Sequence, residues 1–252
     1  MQKHNTCIRR HITRIAVFLL TFVIAASSLT PCSSAANSKL EQDSELVTLY
    51  SADAITDMEA IMARAQNNVD DLQARRGIAL DCNVDTSFDC KYNVGYTTQL
   101  VSVYEVDGHT CEDYVVSAVA YPANNYFWNS DSGYRLVVSV WYTWYDNVNY
   151  KYKFHNSNSY YTIDGNVTSL PQRLLIGNKA FTGYLTNRSY TNAQGFAYPV
   201  ANNTYSVPSG TSEMLYNETG SYIHADAILT LENGKQITVE VDGAGGYNYP
   251  SY

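Results

Sequence analysis

Residues 134–145 read YRLVVSVWYTWY, and this stretch decides the fold. Its even positions, Tyr134, Leu136, Val138, Val140, Tyr142 and Trp144, form one unbroken apolar series. A period of two puts that series on one side of an extended strand, facing a core. Arg135, Ser139 and Thr143 share the other side with Trp141 and Tyr145. After a turn at 146–149, Tyr150, Tyr152 and Phe154 alternate with Lys151 and Lys153, which predicts a second, half-buried antiparallel strand. A slip of one residue would drive both lysines into the core, so the register is well specified.

The same period extends upstream and downstream. Residues 100–106 and 114–121 read as strands joined by Asp107-Gly108, a pair suited to a tight hairpin. Residues 221–231 and 236–241 flank a second such pair, Asn233-Gly234. Residues 173–176 and 179–185 flank Gly177-Asn178, which predicts a third hairpin. The stretch 190–210 is rich in Asn, Ser and Pro and reads as a long connection with one edge strand. The fold class expected is therefore mainly β, an antiparallel β-sandwich over 79–242, with a flexible Gly/Tyr-rich tail at 243–252.

Ahead of the strands the period changes. Ile55, Met58, Met62, Ala65, Val69 and Leu72 recur at spacings of three and four, which predicts one amphipathic α-helix within 46–78. Ser51 is the candidate N-cap, Arg75 and Arg76 fall in the last turn, and Gly77 supplies a stop. Such a stripe packs on its own domain or, as the alternative, forms a dimerising seam.

The first 36 residues combine Lys3, Arg9, Arg10 and Arg14 with an apolar run at 15–26 and a small-residue ending, Ser34-Ala35-Ala36. That order is a secretory signal peptide, followed by a polar tether at 37–45. The expected localisation is secreted or extracytoplasmic, with no transmembrane segment in the mature chain. Leu29-Thr30-Pro31-Cys32 is similar to a bacterial lipobox, but Pro31 departs from it, so lipid anchoring at Cys32 is the alternative to soluble release. Removing 1–36 leaves 12 basic against 24 acidic groups, a formal charge of −12. Such a surface repels phosphate backbones, which excludes nucleic acid as a partner. The remaining cysteines are Cys82, Cys90 and Cys111. An odd count leaves one thiol over; Cys82–Cys90 is the pairing expected, with Cys82–Cys111 as its rival.

Tyr216-Asn217-Glu218-Thr219-Gly220, followed by the Asn233-Gly234 hairpin, resembles uncharacterised secreted β-rich proteins of Gram-positive anaerobes over about 174–241. The resemblance implies export and a β fold, and no activity.

Tyrosine, at 23 of 252 residues, is the compositional outlier, and all three tryptophans lie within 121–161. Trp141, Thr143 and Tyr145 on the side of the main strand away from the core make a candidate ligand-binding surface. Aromatic rings there would stack on sugars or bury in a protein. The same alternation also fits a strand buried on both sides. His109, His155 and His224 are the histidines beyond the signal; Cys111 with His155 is conceivable as a nucleophile pair, though no flanking motif supports it. His224 and Asp226 share a strand face but are too few for a metal, and 129–133 reads as half of a calcium loop without its distal acids. Four N-x-Ser/Thr sequons, at Asn166, Asn187, Asn202 and Asn217, match the number chance would give. No metal and no cofactor are expected. The reading is an exported, non-catalytic protein that recognises an extracellular glycan, wall polymer or protein through an aromatic sheet face. The alternatives are a secreted hydrolase with a dispersed site, and an envelope protein dimerising through its helix.

Overall fold

The computed structural model describes residues 46–88, 90–123, 133–146, 151–164 and 167–244. The expected signal peptide, tether and lipobox cysteine, the acidic part of the half calcium loop, Tyr150, Asn166 and the last eight residues lie outside these. In chain order the described elements are β1 (Val47–Ser51), α1 (Met58–Gln66), α2 (Asp71–Arg76), β2 (Cys82–Thr86), β3 (Tyr92–Val106), β4 (His109–Pro122), β5 (Tyr134–Asp146), β6 (Lys151–Ile163), β7 (Pro171–Phe181), α3 (Gly183–Thr186), β8 (Ser189–Ala197), β9 (Tyr205–Pro208), β10 (Met214–Tyr216), β11 (Tyr222–Leu231) and β12 (Gln236–Ala244).

All ladders between these strands are antiparallel and build two sheets. The first runs β1-β3-β4-β5-β6-β10, with β9 also paired to β6; the second runs β2-β12-β11-β7-β8. The even series of β5 is buried from Tyr134 to Trp144, as its period requires. One apolar cluster holds Val138, Val140 and Tyr142 from the first sheet together with Ile176, Leu229 and Val239 from the second. Part of the tyrosine abundance is a core property. Tyr114, Tyr134 and Tyr161 are fully buried, and their hydroxyls donate to Glu112 and to the carbonyls of Ser169 and Pro199. Asp107-Gly108 forms the predicted turn between β3 and β4, both residues at positive φ, and the Asn233-Gly234 turn joins β11 to β12.

Four expectations need correction. The single helix over 46–78 is a strand and two short helices. Residues 47–51 pair with β3 instead of capping a helix, and the caps are Asp57 and Asp70, each accepting a backbone N–H. Asn68, at φ +52°, breaks the stripe between them, so its two halves pack differently. Met58 and Ile61 of α1 lie on Val119, Val137 and Tyr160, on the side of the first sheet away from the core, whereas Leu72 of α2 enters the main core. The stripe thus packs on its own chain, with Met58, Ala65 and Leu72 buried and Ile55, Met62 and Val69 half-buried. Gly77 does stop α2, in the left-handed conformation predicted for it.

Gly177-Asn178 is not a turn. β7 runs straight through it, paired on both sides. A Cβ on Gly177 would lie 2.3 Å from the Asp226 carboxylate, so the glycine permits a close approach rather than a reversal. Buried Asn178 donates to the Pro208 carbonyl at 3.0 Å.

No disulfide joins Cys82 and Cys90. Cys82 lies on β2 in the second sheet, opposite Val241, while Cys90 precedes β3 in the first. Burial, reinforced by Asp81, pushes the Cys82 thiol up to about 11, away from the thiolate that forms such bonds.

Gly243 and Ala244, assigned above to the tail, belong to β12 and are buried. Among the described residues no helix is long and apolar enough to cross a membrane. Replacing Ile61 with Ala should cost about 2–4 kcal/mol in urea-induced unfolding without changing the oligomeric state by light scattering; a dissociating dimer would contradict this packing.

Candidate functional site

The side of the first sheet away from the core is shared by two unequal coverings. α1 lies over Val119, Val137 and Tyr160 at one end. The segment leading into α1 is tied down on Gln99, which accepts from the Ile55 amide and donates to the Asp53 carbonyl, both at 2.8 Å. Beyond that line no described element covers the sheet.

Directly opposed residues on antiparallel neighbours project to the same side. From the register, one row across the uncovered part is Thr48–Tyr104–Cys111–Tyr145–Tyr216, with backbone position 151 of β6 between the last two. The next is Ser102–Asp113–Thr143–Lys153–Met214, and a third contains Val115, Trp141 and Asn156. Trp141, Tyr145 and Tyr104 are half-buried, Tyr216 is 38 % exposed, and Thr143 is buried.

At the centre, Asp113 accepts from Ser102 Oγ at 2.5 Å and from Thr143 Oγ1 at 2.6 Å. A carboxylate only accepts, so the one Thr143 proton is committed to it. His155 Nε2, 2.6 Å from the same Thr143 oxygen, must therefore donate. This leaves Nδ1 as the ring's remaining lone-pair position. Loss of water around the ring lowers the His155 pKa; Asp113 opposes that and Lys153 adds to it. Burial, with Asp113 close by, pushes the Tyr104 hydroxyl up to about 12 and raises Tyr145 as well.

The Thr143 hydroxyl is thus engaged on both sides. Sequence reasoning missed Tyr104, Tyr216, Ser102 and Asp113. Tyr216 stood in the motif that carries the resemblance, but its place beside Tyr145 is a matter of register.

Cys111 and His155 are two strands apart on this face, and His155 bonds Thr143 instead. Burial and the Asp113 charge push the Cys111 thiol up to about 11, the reverse of an activated nucleophile.

On the other sheet, His224 Nδ1 lies 3.0 Å from Asp242 Oδ1. Both line a hollow of about 120 Å³ with Asp81 and Glu240. Small-molecule sites are typically about 300–1,000 Å³. No described hydroxyl or thiol bonds the second ring nitrogen of His224. A larger cleft, about 450 Å³, lies between the helices and the edge of β3, lined by Asp70, Tyr96 and Tyr121 among others. Asp70 is its one carboxylate, and Oδ1 of that group already accepts from Gln73 N and Thr98 Oγ1. The first hollow gathers three carboxylates, Asp81, Glu240 and Asp242, beside the Cys82 thiol, which burial holds at about 11, away from a reactive thiolate; the second has a single carboxylate. Among the described residues no group of three or more metal-ligating side chains converges.

Compared with known proteins, the chain matches no family model, no curated protein and no solved structure.

Burial lowers the His224 pKa, but the Asp242 hydrogen bond and the charges of Asp242, Glu240 and Asp226 more than offset it, so the net shift is upward. A raised folded value means the pair's stabilisation is complete below the unfolded value of about 6.5. It is lost as pH rises through the folded value. His224→Gln should therefore destabilise the protein more at pH 5.5 than at pH 8.5 in thermal unfolding; an equal effect at both would show that the pair contributes no pH-dependent stability.

Proposed function

We propose that the protein acts outside the cytoplasm, as a β-sandwich that binds a glycan through the uncovered aromatic face of its first sheet. The observation that carries this reading is the coincidence, on one side of one sheet, of Tyr104, Trp141, Tyr145 and Tyr216 with polar Ser102, Asp113, Lys153, His155 and Asn156. Rings of sugars present flat C–H faces and rimming hydroxyls. Aromatic side chains match the first, and carboxylate, amide and imidazole groups match the second.

Support for the polar part comes from how little these groups can move. Asn156 Nδ2 donates to Asn158 Oδ1 at 3.0 Å and to Ser206 Oγ at 3.2 Å, and Asp113 is held by two hydroxyls. Groups fixed in advance lose little freedom when a ligand arrives. The basic, acid-free start of the chain supports export, which would bring such a surface to extracellular polysaccharides.

The test is retention of the purified protein on insoluble polysaccharides and cell-wall fractions, beside Trp141→Ala and Tyr145→Ala. Retention should fall at least several-fold in both, with circular dichroism unchanged. Undiminished retention in both variants would remove the face from the mechanism, and no retention of the parent protein would remove the glycan.

A further inference from the structure

The register places three tyrosines in one straight row across the first sheet, and their spacing is regular. Tyr104 is on β3, Tyr145 on β5 and Tyr216 on β10, with one strand between each pair: Cys111 of β4 stands between the first two, and position 151 of β6 between the second two. Neighbouring strands lie about 4.8 Å apart, so the backbone positions of successive tyrosines in the row are about 10 Å apart. That interval is the length of two extended pyranose units. All three side chains point away from the core, because Val103, Trp144 and Leu215, their chain neighbours, are buried.

The charges on this face narrow the ligand further. Among the side chains described there, Asp113 is one carboxylate and Lys153 one ammonium, in the same row and one strand apart on either side of Thr143. Asp113 already accepts two hydroxyl protons. The chain as a whole carries a formal charge of −8, and Arg64, Arg75, Arg76, Arg135 and Arg188 are each held in ion pairs with carboxylates. A polyanion would meet net repulsion from the chain, and those five arginines are already committed to carboxylates.

Resting on the glycan reading above, we infer that the ligand is an uncharged, extended polysaccharide lying across the strands, with Tyr104, Tyr145 and Tyr216 stacked on alternate sugar units. Adjacent strands rotate by about 20–25° in twisted sheets, so the ring planes turn progressively along the row. A single coiling chain can follow that rotation; the flat surface of a crystalline polymer cannot.

Calorimetric titration with neutral β-1,4-linked oligosaccharides of two to six units tests this. Four strand spacings separate Tyr104 from Tyr216, so affinity should rise with length and level off at about five units. Tyr104→Ala and Tyr216→Ala should each weaken binding of the longest oligosaccharide by roughly 3- to 10-fold. Tyr104→Phe keeps the ring and should retain binding, which separates stacking from damage to the fold. A carboxylated polymer of the same linkage should bind more weakly than the neutral one.

If Trp141→Ala abolishes binding while Tyr104→Ala, Tyr216→Ala and chain length have no effect, the row is wrong and the aromatic face stands. Preference for the carboxylated polymer would overturn the uncharged ligand. If no neutral oligosaccharide or insoluble polysaccharide binds at all, the glycan reading and the row fall together.

Discussion

Strand β5 is loaded on both sides, and the rest of the structure depends on that. Its even side chains make the floor of the main core, meeting residues of the second sheet such as Ile176, Leu229 and Val239. Its odd side chains meet three different surroundings along one strand. Arg135 is held by Glu59 of α1 and by Asp164. Val137 is under α1, and Trp141, Thr143 and Tyr145 lie beyond it. A shift of one residue in β5 would bury Arg135 and Thr143 in an apolar core and expose Leu136, Val138 and Val140. Each buried aliphatic side chain stabilises the register by about 1.5–3 kcal/mol, so no slipped pairing competes.

The helical hairpin fixes how much of the odd side stays open. α1 covers one end of the sheet and α2 passes over the edge of β3 toward the core. What holds α2 is largely polar: Arg75 and Arg76 converge on the buried Glu112 carboxylate at 2.5 and 2.8 Å, and Tyr114 donates to it as well. Burial works against the Glu112 charge, but the donors from Arg75 and Tyr114 and the charges of Arg76 and Arg75 more than offset it. Removing the Glu112 carboxylate, the buried member they share, would leave Arg76 and Tyr114 without that partner, a loss of the kind that typically costs about 3–5 kcal/mol. The open part of the sheet is therefore bounded by a covering that cannot easily slide.

Period-two reading found the long strands because burial acts residue by residue, and Tyr134 to Trp144 carry that signal in full. Turn chemistry found Asp107-Gly108 and Asn233-Gly234 because positive φ is a local demand. The same rule misread Gly177, whose missing side chain answers a neighbour 49 positions away, Asp226, and not its own backbone. The break at Asn68 escaped because the spacing of three and four continues across it. The row of tyrosines was beyond local reading for a further reason. It depends on irregularities between Leu100 and Ser102 and between Trp141 and Tyr142, each of which shifts every later pairing. Trp141 and Tyr145 could be named as candidates from their own strand, while Tyr104 and Tyr216 needed the register of four more.

Half-burial of Trp141, Tyr104 and Tyr145 bears on how a ligand would be held. A fully exposed tryptophan or tyrosine samples several rotamers and loses that freedom on binding, at about 0.5–1.5 kcal/mol for each side chain immobilised. Rings already half-buried on a sheet have lost part of it during folding. The hydrogen-bonded chain from His155 through Thr143 to Asp113 does the same for the polar groups, since these hydrogen bonds hold them before a ligand arrives. Rigidity of both kinds follows from the two-sided loading of β5. The strand that closes the core on one side thereby holds still the aromatic and polar groups on the other.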